Sequence, residues 1–224
     1  MTEVIKYISS SKKGLSRDKN QDRILAIEHD YYYLFALFDG VSSLPMSYLF
    51  AEKFKKIIEG KIDLIDNQGN NLDKLFYEVN KEVVDLGIYG KSTISALFYS
   101  KLNDIVKYIN IGDTRIYVFN NQFLEKITVD DSLEGSANVL TKCLGSKSLT
   151  IKDFELKEIN NQYNFLLCTD GFYKLMEDNL KEYFNVLHYR KFPNIKRKIA
   201  NLQKGKNRDD SSYILIKNEI SNRS

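Results

Sequence analysis

Tyr31-Tyr32-Tyr33-Leu34-Phe35-Ala36-Leu37-Phe38-Asp39-Gly40 runs eight apolar residues straight into an acid and a glycine. A run this short and this apolar reads as a strand covered on both faces, and eight residues fall well short of the roughly 20 that a membrane-spanning helix needs. An ionisable group directly after such a strand is expensive to hold unless it is paired or metal-bound, and Gly40 lets the backbone approach a ligand closely. The arrangement recurs at Phe165-Leu166-Leu167-Cys168-Thr169-Asp170-Gly171. Asp22 and Asp209 also lie beside predicted strands, and Asp113 follows Gly112. Two carboxylates about 4 Å apart repel by roughly 4 kcal/mol at a moderate effective dielectric. Four gathered by one fold therefore call for cations, and an all-oxygen cluster suits Mg²⁺ or Mn²⁺. The pattern predicts a metal-dependent enzyme.

Outward from that strand, Arg23–Glu28 is expected to pair with it through a turn at His29-Asp30. Two helices come next. Pro45 can open the first, which carries Phe50, Phe54, Ile57 and Ile58 on one face. The second places Leu72, Leu75, Phe76, Val79, Val83 and Leu86 at helical spacing, with Asn71 as N-cap and Gly87 as stop. Strand patterns at Ser92–Tyr99, Ile105–Ile111, Arg115–Phe119 and Phe123–Thr128 have short connections, among them Ser100–Asp104, and read as an antiparallel meander. Asn164–Thr169 is a further strand, Phe172–Leu187 and Asn194–Leu202 are helical, and Tyr213–Lys217 closes as a strand. Blocks of strands and blocks of helices without strict alternation predict an α+β fold in a single domain over residues 1–224.

Composition agrees with a sizeable core: 43% of the 224 residues are hydrophobic, with 15 Tyr and 13 Phe. The net charge of +3 names no partner. Cys143 and Cys168 have no metal-ligand spacing and read as buried thiols of a reducing compartment. The first residues lack the apolar core of a signal peptide, so a cytoplasmic, soluble protein is expected. His29 and His188 have no ligand partner at useful spacing. His188–Arg208 holds eight Lys/Arg and no acid, and reads as a solvated basic face or a surface for acidic partners.

Taken in order, the motifs resemble the PPM (PP2C) family of metal-dependent serine/threonine protein phosphatases over nearly the whole chain. Arg17-x-x-Asn20-Gln21-Asp22 is similar to the opening motif of bacterial members, and Phe38-Asp39-Gly40 to the central Asp-Gly. Ser92-Thr93 matches the family's Gly-Ser-Thr with Lys91 in place of glycine. Asn110-Ile111-Gly112-Asp113-Thr114-Arg115 resembles Asn-x-Gly-Asp-Ser-Arg, and Leu140-Thr141 through Leu144-Gly145 resembles Leu-Thr-x-x-Leu-Gly. Asp209-Asp210-Ser211-Ser212 resembles the closing Asp-Asn-x-Thr.

The resemblance implies an α-β-β-α sandwich, two antiparallel sheets flanked by helices. It implies that Asp39 bridges two Mn²⁺ or Mg²⁺ ions and that the Gly40 carbonyl binds a metal or its water. Asp170 and Asp209 would complete one metal site, Asp22 would serve the other, and Asp113 would hold a weaker third ion. Arg17 would grip the substrate phosphate with its fork. Two metals can lower the pKa of a shared water from 15.7 to about 7, giving a hydroxide for in-line attack on phosphorus.

The substrate implied is a phosphoserine or phosphothreonine protein, the partner a cognate Ser/Thr kinase, and the state a monomer away from nucleic acid and membrane. Two departures stand out. Val41-Ser42-Ser43 replaces the usual His-Gly-Gly or Met-Gly-Gly, so position 41 cannot donate a proton. The segment between Ser132 and Leu140 is much shorter than the family's flap. They motivate an alternative, a weak or inactive phosphatase-like domain that binds a phosphoprotein. A two-metal nuclease shares the acidic chemistry but lacks a nucleic-acid platform.

Overall fold

Strand β3 (Tyr32–Gly40) is buried from Tyr32 through Phe38, and only Asp39 regains partial exposure. Its alternate side chains feed two different cores, as the period of a strand dictates. Leu34, Ala36 and Phe38 face one helical layer, while Tyr33, Phe35 and Leu37 face a second sheet. The computed structural model describes residues 5–103, 105–133 and 136–218. Asp104 of the expected turn, positions 134 and 135 of the short flap segment, and both chain ends lie outside the described residues.

The first sheet has the order β10-β5-β4-β3-β2, with β2 (Arg23–Glu28), β4 (Ser92–Ser100), β5 (Ile105–Ile111) and β10 (Lys157–Asn160). The second has the order β1-β12-β11-β6-β7, with β1 (Ile5–Lys12), β6 (Arg115–Phe119), β7 (Leu124–Lys126), β11 (Asn164–Cys168) and β12 (Ser211–Asn218). Every pairing is antiparallel.

Helices α1 (Ser47–Glu59) and α2 (Leu72–Asp85) cover the first sheet through Phe50, Phe54, Phe76 and Val79. Helices α3 (Asp170–Glu177), α4 (Leu180–Leu187) and α5 (Phe192–Leu202) cover the second through Phe172, Met176, Tyr183 and Ile195. The layers are therefore α-β-β-α. No helix among the described residues is long and apolar enough to cross a membrane.

Three local expectations are corrected. The segments from Ser92 to Thr128 are not one meander: β4 and β5 pair in the first sheet, β6 and β7 in the second. The Gly112-Asp113-Thr114 turn therefore crosses between sheets, with Gly112 at φ +98° packed where a Cβ would meet Thr93 Cγ2 at 2.4 Å. The helix expected over Phe172–Leu187 breaks at Asn179, whose φ of −139° is non-helical, giving α3 and α4. Asn71 makes no cap bond; its side chain accepts from Asp66 N (3.1 Å) and donates to Leu64 O (2.7 Å), tying the loop before α2. In the short flap segment, β8 (Ser132–Leu133) pairs antiparallel with β9 (Ser136–Leu140).

Candidate active site

The site forms at one edge of the sandwich, where strand ends and turns from both sheets meet. A cleft of about 390 Å³ is lined by Arg17, Asp39, Gly40, Asp113, Asp170 and Asp209, with Val41, Ser42, Thr93, Leu140 and Lys174. Four of the five predicted aspartates thus share one open space with Arg17. The fifth, Asp22, is buried at 3% exposure and does not line the cleft.

Each carboxylate is delivered by a different feature of the chain. Asp39 sits in the last rungs of β3, paired with Thr93 of β4. Gly40 is obligatory there, because a Cβ would stand 2.8 Å from Gln21 Cβ and 2.9 Å from Gln21 O. Asp113 occupies the crossing turn, which is held by Asn110 Nδ2 donating to Thr114 O (2.6 Å) and Ser95 Oγ (2.9 Å). Gly112 N also donates to Asp131 Oδ2 at 3.0 Å. Asp170 opens α3, and Gly171 presses against the start of β12: a Cβ at 171 would lie 2.1 Å from Asp210 O.

Three roles in this arrangement come to light only in the structure. Asp210 is structural, since its Oδ1 accepts from Gly14 N and its Oδ2 from Gln21 N, both at 2.8 Å. It clasps the loop carrying Arg17 onto β12. Ser212 Oγ donates to Asp22 Oδ2 at 2.6 Å and Thr169 Oγ1 does so at 3.2 Å. Lys174, one helical turn after Asp170, puts its Nζ 2.7 Å from Asp170 Oδ2. That last pair becomes readable as an i,i+4 couple once the helix is known to start at Asp170.

Arg115 also has a structural task. It donates to both oxygens of Asp130 and to Glu177, and lies 3.6 Å over the Tyr173 ring. Cys143 and Cys168 are buried free thiols, and the His188 ring nitrogens meet the Phe184 and Asn120 carbonyls at 2.7 and 2.9 Å.

The electrostatics show carboxylates under mutual strain. Burial, then repulsion from Asp22, Asp170, Asp113 and Asp209, pushes the Asp39 carboxyl well above its ordinary range. Burial pushes Asp22 up to about 8, with Ser212 opposing and Asp210 and Asp170 adding to the rise. Asp113 is raised to about 6 by burial and by Asp170. Asp209 is the exception. Burial works to raise it, but the Arg17 fork and the Asp210 amide hold it below the usual carboxylate value. Arg17 Nε and Nη2 reach Asp209 Oδ1 and Oδ2 at 2.6 and 2.5 Å, the bidentate geometry expected of the fork on phosphate, here spent on a carboxylate.

The donor set fits hard divalent cations. Every side chain offered is a carboxylate, Asp22 Oδ1 is a buried oxygen with no hydrogen-bond partner among the described residues, and Asp39 is surrounded by like charge. Among the described residues no three Asp, Glu, His or Cys side chains stand in a ready-made ligand cluster. The pairing explains this: Asp209 leans on Arg17, Asp170 on Lys174, and Asp22 on Ser212 and Thr169.

No protein-family model and no curated protein sequence matches the chain. Solved structures match it over nearly its full length. The catalytic domain of the serine/threonine protein phosphatase PstP, in complex with two manganese ions, is 20% identical with a TM-score of 0.77, covering 97% of this chain and 99% of that one. Stp1 from Staphylococcus aureus is 20% identical with a TM-score of 0.78, over 95% and 94% of the two chains. The S. agalactiae serine/threonine phosphatase is 17% identical with a TM-score of 0.80, over 95% and 99%. The chain therefore has the fold of the bacterial PPM serine/threonine phosphatases.

Proposed function

We propose that this chain is a metal-dependent protein phosphatase acting on phosphoserine and phosphothreonine. The observation that carries this reading is the convergence of Arg17, Asp39, Asp113, Asp170 and Asp209 on one open cleft, with Asp22 buried behind it, in the fold of such enzymes. Two Mn²⁺ or Mg²⁺ ions would be held by Asp39 between them, by Asp170 and Asp209 on one side, and by Asp22 and the Gly40 carbonyl on the other. When bound, they supply an activated water and positive charge for the phosphoryl oxygens.

The chain's own groups do the rest. Asp39 is the hub, because its carboxylate feels all four of the others. Arg17 can grip a phosphate only by leaving Asp209, and Asp209 is then the carboxylate that needs a replacement cation. The two steps are complementary, because a carboxylate and a phosphate each offer the fork a pair of oxygens. Val41 and Ser42 line the cleft without a group able to protonate a leaving alkoxide at neutral pH, so that proton must come from water or from another group of the cleft. Asp113 lines the same cleft as Asp170, and the two carboxylates would share a further positive charge.

The substrates would be the products of a cognate serine/threonine kinase, met by a cytoplasmic, single-domain monomer with no role for nucleic acid or membrane. A segment this short between Ser132 and Leu140 would leave the groove open to a folded phosphoprotein.

The direct test is hydrolysis of a small aryl phosphate and of a phosphothreonine peptide with Mn²⁺, Mg²⁺ or excess chelator. Turnover with either ion and none in chelator is the expected result. Undiminished turnover in chelator would remove the metal mechanism, and phosphopeptide binding without turnover in any ion would establish the binding-module alternative. Arg17→Lys should raise KM roughly tenfold, because an ammonium keeps the charge but loses the fork. If steady-state kinetics show KM and kcat unchanged, Arg17 is only the partner of Asp209.

A further inference from the structure

Lys174 is the one cleft cation that no motif accounts for. Asp170 begins α3 and Lys174 lies four residues on, so both project from the same helical face. The Lys174 Nζ sits 2.7 Å from Asp170 Oδ2, and both residues line the cleft with Asp113 and Asp209. About half of the Lys174 side chain is exposed, so its ammonium could extend into water; instead it turns back over the carboxylates. The other cleft cation, Arg17, is engaged on Asp209.

We propose that the ammonium of Lys174 is the third cation of this site, a tethered charge shared by Asp170 and Asp113, so that the chain takes up two divalent ions and not three. The inference rests on the metal-dependent reading of the cleft. A free ion at Asp113 and Asp170 would have to displace an ammonium that the helix returns to the same place, so it competes with a group of very high local concentration. Lysine suits the task better than arginine because its charge is compact and its stem flexible, so it can stay on Asp170 while that carboxylate turns toward an ion.

Calorimetric titration with Mn²⁺ tests this on the full chain. The parent should take up two ions. Lys174→Met keeps the stem and removes the charge, and should add a third, weaker binding event that the parent lacks. Combining it with Asp113→Asn should abolish that event. Thermal melts establish that each variant is folded. Three ions on the parent, or an unchanged titration for Lys174→Met, would overturn the proposal. Aryl phosphate turnover on the same samples keeps the two readings apart. A parent that binds two ions without turnover loses the enzyme reading and keeps the Lys174 assignment. A parent that turns over with three ions does the reverse, and one that binds no Mn²⁺ overturns both.

Discussion

Asp39→Asn is expected to lower phosphate ester hydrolysis by more than about 100-fold, since even the residues that merely orient metal ligands are worth 10- to 100-fold. The same substitution should raise the melting temperature in chelator. Both effects come from one placement. Asp39 ends a fully buried strand, beside Thr93 and against a glycine that cannot be anything else. Its carboxyl is pushed up by burial and then by Asp22, Asp170, Asp113 and Asp209, so the metal-free fold tolerates it at a cost. Asparagine is isosteric and neutral, which removes that repulsion but also the charge that two cations would share. Function and stability should therefore move in opposite directions, the trade-off expected of a site held under strain. Kinetics with Mn²⁺ and melts in chelator read the two arms separately. Near-normal activity in the folded variant would refute the role of Asp39; lost activity with a lowered melting temperature would mean that the residue is structural.

Asp39 is legible in the sequence because a strand buried on both faces makes an acid at its end conspicuous. The same logic finds Asp170 through β11, whose five residues are all buried. Polar edge strands are harder. Ile5–Lys12 is rich in serine and lysine and only its first residue is buried, so its pattern carries no strand period, and β12 supplies the pairing that makes it one. The same holds for Lys157–Asn160 on the far edge of the other sheet.

The crossing at Gly112-Asp113-Thr114 reads as a hairpin because a short turn between two strands looks the same whether or not the strands share a sheet. That distinction is tertiary, and it is what sends Asp113 into the cleft. Arg17 stands out for its fork, and the fork is used, but a carboxylate and a phosphate present it with the same pair of oxygens. Asp210 is invisible as a clasp because its partners, Gly14 and Gln21, lie 196 and 189 residues away.

Stability in chelator should fall as pH rises from about 4 to about 8, the reverse of the usual behaviour of a protein with paired carboxylates. Asp22 sets the window. Its folded value is pushed to about 8 by burial, against an unfolded value of about 3.9. Below pH ~4 both states hold the proton and Asp22 contributes its full stability. Between ~4 and ~8 the folded state keeps the proton while the unfolded state has released it, so unfolding gives up a proton and becomes easier as pH increases. Asp113, raised to about 6, adds to the same slope over a narrower range, and Asp39 acts in the same direction. Asp209 opposes them only at acid pH, because its carboxyl is held low by Arg17 and its contribution is lost as pH falls. The melting temperature at pH 8 should lie on the order of 10 °C below that at pH 5, since one proton over this range is worth ~4 kcal/mol and a domain of this size shifts by ~2–4 °C per kcal/mol. Asp22→Asn should remove its own share of that slope, since the amide has no proton to lose. Saturating Mn²⁺ should reverse it, because the ion needs the carboxylates ionised and its binding is linked to proton release. A parent whose chelator melts are flat or rise between pH 5 and 8 would show that Asp22 is ionised without a metal, and that the cluster is held by its hydroxyl and cation partners alone.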